Sequence, residues 1–476
     1  VSDESNATSY GEALAWLYGF SDTERTGKFT GKFSRDREDN IARMRALLTL
    51  LGDPQRAYGV THIAGTKGKG STAALLAAIL RAAGVRSGLY TQPDLHTFRE
   101  RIQLGGRIIA EAEVTRLVPA VRAATEALDP TLGLLITYDV ATALALLAFR
   151  EAGVRHAVVE VGLGGRLDAT NVVDPMATAI TSISYDHMEV LGHTLAEIAR
   201  EKAGIIKPGV PIVTSARAPE ALEVIARVAA ERAAPLLRIG PEGATDCDYM
   251  YSVGRASSEG QIFGVRGPQR AYADLELGLL GEHQIENATL AVALAETLRQ
   301  AGLPFTEGAI RRGLREARWP ARLQVVGRAP YIVVDAAHNA DSFARLLAAL
   351  RRHFTFERLI LVLGVLADKD LPGIASVIAE AIAGAGVDIA IATTVASPRA
   401  QPAAAIAEAL RTAAPALQTR VYAGSAAALA EALREAGPRD LICVAGSVYF
   451  AGEALRWLAL RPEVTPGVIE IAGIDH

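Results

Sequence analysis

Apolar and polar positions follow two rhythms along the chain. Short β-type runs pass through a glycine turn into stretches with helical spacing, as in "YGVTHIAG" followed by "STAALLAAILRAAG", and "DVATALALLAFREAG" leading to "HAVVEVGLGG". Strands that alternate with helices in this way predict a parallel sheet with helices on both faces. From about 248 to 280 the texture becomes short alternating strands and turns, "YMYSVGRASSEGQIFGVRGPQRAYADLELGLL". That predicts a small antiparallel elaboration of the first domain before helical "HQIENATLAVALAETLRQAG" resumes. A second α/β series starts near "RWPARLQVV", with strands "YIVVDAAHN", "RLILVLGVL", "DIAIATTVA" and "LICVAGS" and a helix "ADSFARLLAALRRHF". The segment "EARWPAR" between the two series follows a helix and carries Trp319 and Pro320. Proline resists helix continuation, so the boundary is expected near residue 318, with a hinge there. The last stretch, "PEVTPGVIEIAGIDH", reads as a weakly attached tail.

Composition narrows the class. The 476 residues are half hydrophobic and only 5% aromatic, which suits a helix-rich α/β protein of two or three domains. A net charge of −4 supplies no field that would recommend nucleic acid or an anionic membrane as partner. Cys247 and Cys443 lie far apart and form no metal-binding pair. The N-terminus has no signal pattern, and no uninterrupted apolar run reaches the ~18 residues a bilayer needs. The expectation is a cytoplasmic protein.

The densest chemistry lies in "HIAGTKGKGS", after an apolar run and before a helical one. Gly65, Gly68 and Gly70 let amide groups turn toward an anion, Lys69 reaches for terminal phosphate oxygens, and the helix that follows aims its positive end at the same place. The loop is shorter than the usual GxxxxGK[ST] pattern, with Ser71 and Thr72 behind Gly70; a tight turn is the plain alternative. Glu160 ends an apolar strand in "VVEVGLGGRLDATNVV", where a carboxylate suits a magnesium ion or simply faces solvent. Asp186, His187 and Lys202 in "SISYDHMEVLGHTLAEIAREKAGIIKPG" are weak signals taken singly.

Taken together, "HIAGTKGKGS", "FRERI", "EVGLGGRLDATN", "DHMEVLGHTLAEIAREKAGI", "GEHQIENA", "WPAR", "VVDAAHNADS" and "LADKD" closely resemble the folylpolyglutamate synthase and dihydrofolate synthase family of the Mur ligase superfamily, from about residue 33 to about 455. "SPRAQP" and "CVAGSVYFAGEAL" continue the likeness. The resemblance implies an N-terminal P-loop-type ATPase domain with a parallel sheet over 1–318 and a smaller C-terminal Rossmann-like α/β domain over 319–476. It places Gly65, Thr66, Lys67, Gly68, Lys69, Gly70 and Ser71 on the ATP phosphate loop, with Lys67 where many members have asparagine. Asn287, Arg322 and Asp335 fall on nucleotide contacts, Glu160 and His187 on magnesium ligands, and Lys202 on a lysine that the family carbamylates. Carbamylation turns a cation into an oxygen-rich anion able to bridge toward a metal. Ile136, Thr137, Tyr138 and Asp139, with Leu167, Asp168 and Ala169, match folate or pteroate contacts, Asp139 standing where glutamate is common. His338 belongs to the "VVDAAHN" loop and joins Lys69, His187 and Lys202 as a catalytic candidate.

The implied activity is an ATP-dependent, ADP-forming ligase, monomeric, using two magnesium ions and small-molecule substrates: ATP, L-glutamate and a folate or pteroate. Dihydropteroate, tetrahydrofolate, or both stay open as acceptor. In "YTQPDL", where the family more often reads TSPHL, Gln92 replaces a serine that helps hold magnesium and Asp94 a histidine. Both serine and glutamine offer a neutral oxygen, so Gln92 either serves the metal or is a surface residue without that role. Two rival readings remain. A Mur-type cell-wall amino-acid ligase would share the loop and the two-domain plan, but "EVGLGGRLDATN" and "DHMEVLG" are features of the folate branch. A catalytically inactive nucleotide-binding regulatory protein would make the departures decay, against the joint presence of Lys69, Glu160, His187, Lys202 and Asp335.

Overall fold

The computed structural model describes residues 9–21, 39–382, 387–462 and 464. Apart from Pro462 and Val464, the stretch read as a tail lies outside these residues, as does the start of the family likeness near residue 33.

Strand β1 (Gly59–Ala64) is buried at every position after Gly59. It pairs in parallel with β5 (His156–Glu160) on one side and β6 (Ala177–Ile180) on the other, and both of these are buried throughout. Largely apolar runs such as "AVV" and "ATAI" are what strands covered on both faces require. Beyond β5 the sheet continues with β2 (Ser87–Tyr90), β3 (Ile102–Leu104) and β4 (Arg107–Ile108). Beyond β6 it continues with β7 (Ile212–Thr214), β8 (Leu236–Pro241), β9 (Tyr249–Ser257), β10 (Gly260–Arg266) and β11 (Ala271–Leu277), giving eleven strands.

Helices cover both faces. On one, helix Lys69–Ala82 lies on the sheet beside helix Glu282–Gln300 and packs against helix Glu307–Glu316. Its Leu75, Leu76, Ile79 and Leu80 are fully buried, and burial of each such side chain contributes roughly 1.5–3 kcal/mol. The approach is close: a Cβ on Gly313 would stand 2.5 Å from the Cα of Ile79. On the other face lie helices Tyr10–Leu17, Asn40–Leu50, Glu111–Glu126 and Thr137–Glu151. The antiparallel region differs from expectation in one respect. The β9–β10–β11 pairing is antiparallel, but β9 joins β8 in parallel, so these strands extend the main sheet. Tyr249, Tyr251, Phe263, Val265 and Tyr272 all point into the core beneath helix Glu282–Gln300, which makes them one layer with it.

A second sheet of six strands has the order β12 (Gln324–Arg328), β13 (Tyr331–Val334), β17 (Leu441–Ala445), β14 (Leu359–Leu363), β15 (Val387–Thr393), β16 (Gln418–Tyr422). Only the β12–β13 pairing is antiparallel. Helices Ala340–His353, Leu371–Ile382 and Ala403–Ala413 cover one face, and Ser425–Glu435 and Val448–Leu458 the other. Between the sheets, Trp319 packs on the first domain's core and Ala321 lies in the second's. Among the described residues no helix is long and apolar enough to cross a membrane.

Candidate active site

Because β1, β5 and β6 are neighbours in register, their carboxyl ends deliver three segments to one place: the glycine loop after Ala64, Glu160 opposite Ile63, and the stretch after Ile180. Crevices outside the carboxyl ends of parallel strands are where α/β sheets bind ligands. Gly68 has φ +88 and precedes helix Lys69–Ala82, whose free amide ends therefore face the crevice. A Cβ on Gly68 would come within 2.3 Å of Asn287 Oδ1, so helix Glu282–Gln300 presses Asn287 onto the loop. Gly70 lies under Trp319, with 3.0 Å from a would-be Cβ to the indole and 3.3 Å to Glu160 Oε2. A side chain in place of Gly70 would crowd both.

Lys69 and Lys202 donate to the same carbonyl oxygen, that of Gly65, at 3.2 and 3.0 Å. Lys202 is buried, and desolvation, followed by repulsion from Lys69, pushes its pKa down to about 7. Lys67 forms a 2.9 Å ion pair with Asp186. Desolvation works to raise the Asp186 pKa, but the Lys67 ammonium, by its charge and its hydrogen bond, holds it well below the usual range. His187 follows in a left-handed conformation at φ +49. Its pKa is lowered by desolvation and by Lys369, Lys69 and Lys67, against the pull of Asp186, so at neutral pH its imidazole keeps a lone pair.

These groups line a cavity of about 1130 Å3 between the two sheets. Every residue singled out for ATP, metal, acceptor or catalysis lines it except Gly65, Thr137 and Lys202, which lie a layer behind. Thr137 serves the backbone, its amide and hydroxyl donating to the carbonyls of Ser21 and Phe20. On the N-terminal side, Gln92 Nε2 donates to the Tyr138 hydroxyl, which donates to Asp168 Oδ1. Asp168 also accepts from the amides of Leu163 and Thr170, and burial raises its pKa. Asp139 is fully buried, and desolvation raises its pKa to about 7. Ile136, Leu167 and Ala169 complete this wall.

The C-terminal domain supplies the opposite wall. Ala321 and Leu323, either side of Arg322, both have positive φ, at +54 and +44. Asp335 holds this strained turn by accepting from Leu323 N at 2.8 Å while its other oxygen takes Ala337 N at 2.7 Å. Strain of this kind needs surrounding contacts to persist. His338 Nδ1 pairs with the Ala336 carbonyl, which leaves Nε2 as the unprotonated nitrogen. Burial brings its pKa down to about 4.

Sequence reasoning assigned no role to several lining groups. Arg43 is buried, donates to Leu132 O and Asn40 Oδ1, and stands 3.8 Å from Asp139. A charged residue on the same helix face as Leu47 was its only signal. Asp368 pairs with both Lys369 (3.1 Å) and Arg399 (2.8 Å), from "LADKD" and "SPRAQP", whose chemistry the sequence alone left unread.

Glu160 and His187 are the hard oxygen and neutral nitrogen donors suited to a divalent cation. Among the described residues no three His, Cys, Asp or Glu side chains form a ready cage. Magnesium characteristically takes few protein ligands and completes its shell with phosphate and water, so this donor set fits it.

Two domain models match the chain: the Mur ligase middle domain over residues 120–295 and the Mur ligase, glutamate ligase domain over 321–448. Fold and cavity thus define a Mur-type, ATP-dependent, ADP-forming ligase. The dihydrofolate synthase/folylpolyglutamate synthase of Bacillus subtilis is 38% identical over 365 residues, 76% of this chain and 81% of that protein. A Mycobacterium tuberculosis folylpolyglutamate synthase complexed with ADP superposes with a TM-score of 0.81 at 33% identity, over 89% of this chain and 95% of that one. An E. coli FolC in complex with DHPP and ADP gives 0.78 at 29%, over 94% and 97%. The chain belongs to the folylpolyglutamate synthase/dihydrofolate synthase family.

Proposed function

We propose that this chain joins L-glutamate to a folate or pteroate carboxylate through an acyl phosphate, as a monomer. The observation that carries the reading is the single cavity in which the phosphate loop, the Asp139/Asp168 wall and the Arg322/Asp335 wall face one another. A carboxylate is too weak an electrophile to meet an amine at neutral pH. One of its oxygens attacks the γ-phosphorus of ATP and ADP departs; the deprotonated glutamate amine then attacks the acyl carbon, and collapse expels phosphate.

In this scheme Gly65 to Ser71 bind the phosphates, Lys69 neutralises the migrating phosphoryl group, and Asn287, Arg322 and Asp335 hold the nucleotide from both domains. Magnesium, held through Glu160 and His187, would supply further charge neutralisation. Gln92 spends its amide nitrogen on Tyr138, so it would serve that ion through its amide oxygen or through a bound water. Tyr138, Asp139 and Asp168, with the Ile136 and Leu167–Ala169 segments, orient the acceptor. His338 presents an unprotonated ring nitrogen on the C-terminal side. Enclosure between the domains keeps water from the acyl phosphate.

The test is release of ADP with a panel of dihydropteroate, tetrahydrofolate and its glutamate conjugates, each with and without L-glutamate. Glutamate-dependent ADP release with at least one of them is expected. Turnover restricted to a UDP-muramoyl acceptor, or none with any acceptor, would overturn the reading.

A further inference from the structure

The loop that carries Gln92 and Pro93 into the cavity runs on to a contact with the other domain. The carbonyl oxygen of Leu95 lies so close to helix Val448–Leu458 that a Cβ on Gly452 would stand 2.5 Å from it. The Leu95 side chain packs on the second domain's core beside that helix. His96 completes the contact, its Nε2 3.1 Å from the carbonyl oxygen of Gly452 and its Nδ1 3.0 Å from Glu100 Oε1. The imidazole is nearly fully enclosed, with 6% of its side chain exposed.

Glu100 ties the loop into one piece, accepting from the amides of Leu95 (2.7 Å) and His96 (3.1 Å) as well as facing the ring. Asp94, in the position where histidine is usual in the family motif, pairs with Arg101 at 2.5 Å and braces the loop's other side. Both ring nitrogens of His96 are thus engaged, Nδ1 with Glu100 on its own loop and Nε2 with the Gly452 carbonyl on the other domain. The nearest acidic group on the helix, Glu453, is turned away and accepts from Ala396 N and Ser425 Oγ. The first turn of the same helix, Ser447 to Tyr449, lines the cavity, as do Gln92 and Pro93 on the loop. A single seam thus lies directly behind two walls that belong to different domains.

We propose that His96, seated on Gly452, is a positioning residue that sets the register of the two domains and, through its loop, the placement of Gln92 beside the phosphate loop. His96 touches no reacting atom in this scheme. Only the turnover readout rests on the ligase reading; the docking itself can be measured without it.

The experiment uses the full chain with a fluorophore on each domain and compares Gly452→Ala, His96→Ala and His96→Gln with the parent. Alanine inside a helix ordinarily favours the helix over glycine, so Gly452→Ala opens the seam without weakening the element that bears it. Expected are a longer or broader interdomain distance in Gly452→Ala and His96→Ala, and an unchanged thermal midpoint in Gly452→Ala. The kcat should fall by about tenfold to a hundredfold, the scale on which ångström misplacement acts. His96→Gln keeps one donor for the Gly452 carbonyl and should recover part of both losses. Parent-like distances in Gly452→Ala would overturn the proposal even if the protein showed no ligase activity. So would losses that only track a fallen thermal midpoint.

Discussion

At the scale of single residues, two ammonium groups converge on one carbonyl oxygen, that of Gly65. Burial penalises the charged form of Lys202 most, and repulsion from Lys69 adds to it, which together bring its pKa down to about 7. A neutral amine at physiological pH is a nucleophile toward carbon dioxide. The carbamate that forms is an anion, so repulsion from Lys69 becomes attraction, while the remaining N–H can still donate to Gly65. Carbamylated Lys202 is therefore expected in the working enzyme. With 13C-labelled bicarbonate, the parent should give a carbamate carbon signal that is missing in Lys202→Ala, and small carboxylates should restore part of that variant's activity. An active enzyme whose Lys202 carries only a free amine, by NMR or intact mass, would contradict this.

At the scale of elements, the strands at the centre of the first sheet carry two buried histidines. His62 on β1 is hydrogen-bonded to Thr170 at 2.8 Å, and His156 on β5 to Thr61 at 2.8 Å. Desolvation lowers their pKa values to about 3 and about 4. The fold thus prefers the neutral ring. The stability that follows is fully present above the unfolded value of about 6.5 and is lost as pH falls toward 4. At pH 5 each ring costs about 2 kcal/mol relative to pH 7. Asp139, with its pKa raised to about 7, acts in the opposite direction over the same range, because its neutral form is the one the fold favours. A difference measurement separates them: denaturant unfolding of His156→Gln should lose about 2 kcal/mol less than the parent between pH 7 and 5. Equal losses would show that His156 does not titrate in this way.

Much of this level was legible in the sequence. The apolar stretches within β5, β14 and β17 mark strands covered on both faces, and glycine turns mark where they end. Strand β16 was not anticipated, since "QTRVY" is short, half polar and lies at a sheet edge. The parallel joining of β8 to β9 was hidden as well, because periodicity reports which face a strand buries and says nothing of its neighbour.

At the scale of the whole molecule, the cavity is built where the parallel strands of two mixed sheets turn their carboxyl ends toward each other. The sequence pointed to its parts through motifs spread from residue 62 to residue 455, but not to how they meet. Asn40 and Arg43 reach it from a helix that looks ordinary, Arg43 next to Asp139 and Asn40 donating to Leu167 O at 3.0 Å. Such contacts are set by tertiary packing and leave no local pattern. What the assembled cavity is for comes down to one chemical event, the transfer of a carboxylate oxygen to phosphorus. A folate acceptor labelled with 18O in its carboxylates, incubated with ATP, magnesium and L-glutamate, tests it directly. The account predicts ADP, an amide product and inorganic phosphate carrying one labelled oxygen per turnover. Unlabelled phosphate, or label appearing in AMP with release of pyrophosphate, would contradict it.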